Sequence, residues 1–211
     1  MQIAVLLYDR FTALDAVGPY EILSRVPGAE VVFAAAEPGP VRTDMASLAL
    51  TADAALSEVA APDVLLVPGG PGVADALSDG PTLDWLRSVD AATTWTTSVC
   101  SGSLLLAAAG LLTGRRATSH WICMDHLGAF GAVPASERIV IDGKYATAAG
   151  VSAGIDLALH LAGRMAGDEV AEAIQLVVEY DPQPPYAMGS VATAPAALVE
   201  SLRASNLVVS A

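Results

Sequence analysis

Along the chain, short apolar runs alternate with stretches whose apolar positions repeat at helical spacing. Ile3–Tyr8 and Asp63–Val67 are apolar on both parities, which marks strands buried on both faces. Trp95–Val99 is rich in β-branched residues, and Glu30–Ala36 reads as a further strand. Between them, the spacing predicts helices over Asp15–Val26, Thr82–Ala92, Ser101–Leu112, Trp121–Phe130, Ser152–Ala166 and Asp168–Glu179. Arg138–Ile141 and Tyr145–Ala148 flank Asp142-Gly143-Lys144, a hairpin signal. Residues 37–62 are rich in Pro, Gly and Ala, with short extended pieces around Arg42 and over Leu48–Ala52. The tail beyond Tyr180 opens Asp-Pro-Gln-Pro-Pro and is expected to be irregular or packed over the surface. Strands alternating with helices predict an α/β fold with a mainly parallel sheet.

Composition narrows this picture. With 211 residues, 54% of them hydrophobic, the chain is expected to form a single domain over 1–211 and is too apolar to be disordered. Ten Lys and Arg against 23 Asp and Glu give a net charge of −13, and the longest basic cluster is Arg115-Arg116. Such a chain is not expected to bind nucleic acid, because phosphates repel it. Two cysteines make no disulfide framework. No run approaches the ~20 apolar residues of a membrane span, and Ile3–Leu7 is too short for a signal sequence. A soluble cytoplasmic protein is expected.

The sharpest chemical signal is Trp95-Thr-Thr-Ser-Val-Cys100-Ser-Gly-Ser-Leu104, where a strand ends in a cysteine and a helix begins at once. That order resembles a nucleophile elbow. It sets the thiol above the carboxyl ends of the strands, where open α/β sheets bind ligands. The helix N–H groups are expected to lower the thiol pKa. The competing reading is a buried structural cysteine. Pro68-Gly69-Gly70-Pro71-Gly72 follows another strand; it is either a tight turn or a loop whose N–H groups approach an anion. Asp15 lies near the end of the first strand and is either a helix cap or an acid–base group. Glu21, six residues on, faces another side of the helix and is expected to be partly buried.

Taken together, Leu-Asp-Ala-Val-Gly-Pro-Tyr-Glu, Val-Pro-Gly-Gly-Pro-Gly, Val-Cys-Ser-Gly-Ser, Ala-Thr-Ser-His-Trp and Ala-Gly-Val-Ser-Ala-Gly-Ile-Asp-Leu-Ala-Leu-His resemble the ThiJ/PfpI superfamily, from Met1 to about Tyr180. Within it the wording is most similar to the isocyanide (isonitrile) hydratases. The resemblance implies a flavodoxin-like three-layer sandwich with helices on both faces, usually a homodimer. It puts the nucleophile on Cys100, the carboxyl partner on Asp15 and a site hydroxyl on Ser101. It implies an anion hole from the N–H groups of Gly70 and Ser101. The protease-like branch has His directly after the cysteine; Ser101 stands here, which weakens a protease reading. His120 lies where several branches place a histidine near the thiol, in a structural, supporting or catalytic role.

The remaining candidates read more plainly. His120, Cys123 and His126 are spaced along one helix on different faces, so no metal site is expected. Cys123 is expected to be a small buried side chain. Asp156 is a capped or paired interior carboxylate, His160 a helix residue at a packing edge, and Trp95, Trp121 and Tyr20 core or pocket aromatics. The resulting expectation is an enzyme that adds water to an isocyanide through a Cys100 thioimidate, with no cofactor. One rival is the ligand-sensing domain of an AraC-type regulator, which needs a DNA-binding domain beyond Ala211. The other is a glyoxalase- or deglycase-like enzyme, whose relatives favour Glu where Asp15 stands.

Overall fold

The structure, a computed structural model, describes residues 1–205; the last six residues of the expected 1–211 domain lie outside the described residues. Its core is a seven-stranded sheet. In chain order the sheet strands are β1 (Gln2–Leu6), β2 (Glu30–Ala35), β5 (Ala54–Ala55), β6 (Val64–Val67), β7 (Trp95–Val99), β10 (Ile139–Asp142) and β11 (Tyr145–Ala148). They lie in the order β10-β11-β7-β6-β1-β2-β5, and only β10 runs antiparallel to its neighbour. Two small pairs stand apart: β3 (Gly39–Arg42) with β4 (Ala49–Ala52), and β8 (Arg116–Ala117) with β9 (Val133–Pro134).

Alternation along the central strands splits the core in two. Ala4, Leu6, Leu65 and Val67 face one layer, containing α2 (Val73–Ala76), α3 (Gly80–Asp90), α4 (Gly102–Ala108) and α5 (Met124–Ala129). Ile3, Val5, Val64 and Leu66 face the other, containing α1 (Ala13–Leu23), α6 (Ala153–Ala166) and α7 (Asp168–Val177). Both faces are therefore dry, which is why these strands are apolar at every position. The result is the mainly parallel α/β fold that the pattern predicts, arranged as the three-layer sandwich that the resemblance implies.

Several boundaries differ from the expectation. The fourth helix ends at Ala108 instead of Leu112, and the fifth starts at Met124 instead of Trp121. Of the two alternatives for the region after Tyr180, the structure takes packing over the surface: α8 spans Ala196–Ala204, and Arg203 lies over the Trp121 ring at 5.6 Å. No α8 residue is buried, so its apolar face gave little core signal to read. Among the described residues, no helix is long and apolar enough to cross a membrane.

Candidate active site

The parallel strands β1, β6 and β7 deliver three loops to one edge of the sheet: residues 7–12, 68–72 and 100–101. Cys100 occupies a left-handed backbone conformation (φ 58°) between β7 and α4. For a residue with a Cβ this costs about 1–2 kcal/mol. The conformation is held by its N–H, which is shared between the carbonyls of Ala148 and Ala149 at 3.1 and 2.9 Å. Ser119 Oγ donates to the Cys100 carbonyl at 3.0 Å. The elbow also requires glycine on both sides of a close approach. A Cβ on Gly102 would clash with the Val67 carbonyl and lie 2.7 Å from that of Pro68. A Cβ on Gly69 would lie 2.5 Å from the Ser101 nitrogen.

Asp15 sits in the first turn of α1, fully buried, and does not cap the helix, because Thr12 holds that position. Its Oδ2 accepts the Gly69 N–H at 2.9 Å. Its carboxyl also lies against the Cys100 thiol, and Oδ1 has no hydrogen-bond partner among the described residues. Burial dominates its titration and raises it from 3.8 to about 7, against the pull of the Gly69 N–H and the thiol; the Asp44 carboxylate adds to the rise.

Cys100 has two N–H donors on its sulfur, from Val151 and Ser101. They do not win. Burial first, and then the Asp15 carboxylate, push the thiol well above its ordinary value. This corrects the expectation of a thiol made acidic by the helix that follows. The helix α4 is only seven residues long, and the sulfur, in a residue 2% exposed, is desolvated. Around neutral pH the thiol therefore keeps its proton while the carboxyl passes through its own titration, so the two are not ionised together.

Of the residues singled out from sequence, Cys100, Asp15, Ser101 and the Gly69-Gly70 loop converge. Gly70 has a qualified place. Its N–H, expected to point into an anion hole, donates instead to Ser101 Oγ at 3.0 Å. The second N–H on the sulfur comes from Val151, at the turn before α6, which sequence reasoning missed; a backbone donor leaves no side-chain signature. Tyr8 and Asp44 were missed as well. Both flank Asp15, and only the strand-end position of Tyr8 offered a hint. His120 stands one layer back: its ring packs on Gly150, Nδ1 accepts the Ile122 N–H at 3.4 Å, and burial lowers its pKa, leaving it neutral.

The chain can now be set beside known proteins. Residues 1–164 match the DJ-1/PfpI family, more than half of the sequence. The chain belongs to the DJ-1/PfpI family. Like other members it is an α/β sandwich, and it is 43% identical over 203 residues to an isonitrile hydratase of Pseudomonas putida, covering 96% of this chain and 89% of that one. A crystal structure of a ThiJ/PfpI family protein from Pseudomonas syringae superposes with a TM-score of 0.94 at 41% identity, covering 97% of this chain and 85% of that one. This DJ-1/PfpI chain is also 32% identical, over 85% of its length, to the HTH-type transcriptional regulator GbdR of Pseudomonas aeruginosa, of which it spans 50%.

The other candidates fall outside the site of this DJ-1/PfpI protein. Glu21 is exposed, not partly buried, and pairs with Arg25 at 2.8 Å. Asp156 is paired, accepting from Arg138 and from the Tyr180 hydroxyl at 2.7 Å. Cys123 is fully buried. Tyr20 packs against Phe33 with the rings tilted and their centroids 5.4 Å apart. Among the described residues, no group of three His, Cys, Asp or Glu is placed to hold a metal ion.

Proposed function

We propose that the protein is an isocyanide hydratase, converting R–NC and water to the formamide R–NH–CHO. The contact between the Cys100 thiol and the buried Asp15 carboxyl carries this reading. The extent of the likeness to an isonitrile hydratase, nearly end to end, supports it. Terminal isocyanide carbon is both electrophilic and basic. It therefore needs a nucleophile and a proton delivered to the same atom, and a thiol against a carboxyl that share one proton offer both.

Cys100 sulfur forms a bond to the isocyanide carbon while Asp15 passes the shared proton to that carbon, giving the thioimidate R–N=CH–S–Cys100. Water then adds across C=N, its proton guided by the Asp15 carboxylate, and yields R–NH–CH(OH)–S–Cys100. Collapse expels the thiol and releases the formamide. Val151 and Ser101 N–H groups hold the sulfur as charge develops on it. Ser101 Oγ, tied to the Gly70 N–H, fixes the loop that carries Gly69 and so keeps Asp15 in place. His120, neutral and behind Gly150, supports the wall of the site.

The active form in this reading is a homodimer in the cytoplasm. Leu14 is 41% exposed beside a groove of about 320 Å³ lined by Val17, Ile155, Val178 and Tyr180, a surface suited to a second copy. Two unpaired buried cysteines suit a reducing compartment. The test is to incubate purified protein with an alkyl and an aromatic isocyanide and follow formamide. Formation that requires Cys100 supports hydration. Tight binding of small ligands without turnover would instead favour the sensor reading.

A further inference from the structure

Among the described residues, Tyr8 joins Cys100 and Asp44 in the field of Asp15. Tyr8 follows β1 at the carboxyl edge of the sheet, and its hydroxyl donates to the Pro68 carbonyl at 2.7 Å. The nitrogen of that same peptide unit is Gly69 N, whose hydrogen goes to Asp15 Oδ2 at 2.9 Å. Carbonyl and N–H of one amide are electronically joined: a donor at the oxygen draws density from nitrogen and makes the N–H a stronger donor. We infer that Tyr8 is a positioning residue for Asp15, acting through the Pro68–Gly69 peptide to fix the orientation of the carboxyl and the strength with which it holds its proton.

The surroundings favour transmission over slack. Gly69 O takes the Thr12 N–H at 2.8 Å, and Gly70 N–H goes to Ser101 Oγ at 3.0 Å. The Gly69 Cα is pressed against the elbow, so the peptide has little room to rotate. Tyr8 itself stays protonated, because burial, Asp15 and Cys100 all raise its phenol pKa. The groups that face Asp15 are Cys100 from the β7–α4 elbow, Asp44 from the β3–β4 connection and Tyr8 from the β1–α1 loop. Asp44 is held by Thr12 Oγ1 at 2.9 Å and raises the Asp15 pKa, as burial does. The hydrogen bond from Gly69 opposes both, and Tyr8 strengthens that opposition.

This inference rests on the hydration reading for its catalytic meaning, but its test does not need turnover. Two readouts are compared across pH 5–9: kcat/KM with an isocyanide, and the rate of Cys100 alkylation by iodoacetamide. In Tyr8→Phe, which keeps the ring and loses only the oxygen, the acidic inflection of both profiles should rise by about half a pH unit, because the carboxylate loses support. In Tyr8→3-fluorotyrosine, with a stronger phenolic donor, it should fall. A ring that merely packs would leave both inflections in place, and superimposable profiles in the two variants overturn the inference. Should Tyr8→Phe not fold, the fluorinated protein decides alone, by a downward shift or none. If the alkylation inflections move as stated while the parent hydrates no isocyanide, the relay stands and the hydration reading falls.

Discussion

Asp15→Asn separates the proton of the site from its shape. The carboxyl is fully buried and titrates near 7 in the fold, against 3.8 in a solvated chain. A group with a raised folded-state pKa favours the fold most below its unfolded pKa, and that advantage is lost as pH rises through the folded pKa. Here the window runs from about pH 4 to about pH 7, and the full difference has a ceiling of about 4 kcal/mol. About 3 kcal/mol of it falls between pH 5 and pH 8. Asparagine does not ionise. Its carbonyl oxygen keeps the Gly69 N–H bond, while its NH2 takes the place of Oδ1, which lacks a hydrogen-bond partner, and an unpaired buried donor there costs about 1–3 kcal/mol. The variant should therefore be the less stable protein at pH 5 and match or exceed the parent at pH 8. Urea unfolding of both proteins at four pH values measures the difference, in which carboxylates elsewhere cancel. Single-turnover hydration should meanwhile fall by about 10²-fold or more, since Asn delivers no proton. A stability difference that stays constant from pH 5 to pH 8 would refute the raised carboxyl. An unchanged turnover rate would remove Asp15 from the chemistry.

Cys100→Ala should abolish formamide production with the fold intact by circular dichroism, whereas Cys123→Ser should retain most activity; near-normal kcat in Cys100→Ala ends the covalent mechanism. Gly102→Ala should lower stability by about 2 kcal/mol or more, since its Cβ meets the backbone carbonyls of Val67 and Pro68, which cannot swing aside. In thermal melts that is a fall of about 5 °C. Gly80→Ala, with nothing within 4 Å of the added carbon, is the control and should melt close to the parent. Light scattering at micromolar concentration should give twice the monomer mass; a monomer would sink the homodimer.

Periodicity, chain order and side-chain type were enough for much of this protein. Ile3–Leu7 and Val64–Val67 are apolar at every position because both faces of a central parallel strand are covered, so the covered parallel sheet is legible one strand at a time. The strand–Cys100–helix order is equally local, since an elbow needs a residue between two elements and glycine just after it. What sequence left open depends on groups that meet only through the fold. Asp15 reads equally well as a cap or an acid until Gly69, 54 residues away, places its N–H on the carboxyl. The Cys100 shift runs opposite to the expectation for the same reason: the helix that follows is visible in sequence, but the desolvation that outweighs it comes from packing. Val151 acts through a backbone N–H, so no choice of side chain announces it, and the Tyr8 hydroxyl finds its acceptor only through the fold, on the Pro68 carbonyl 60 residues away. Solvation and peptide-bond geometry, set by tertiary contacts, decide where the proton of this site resides.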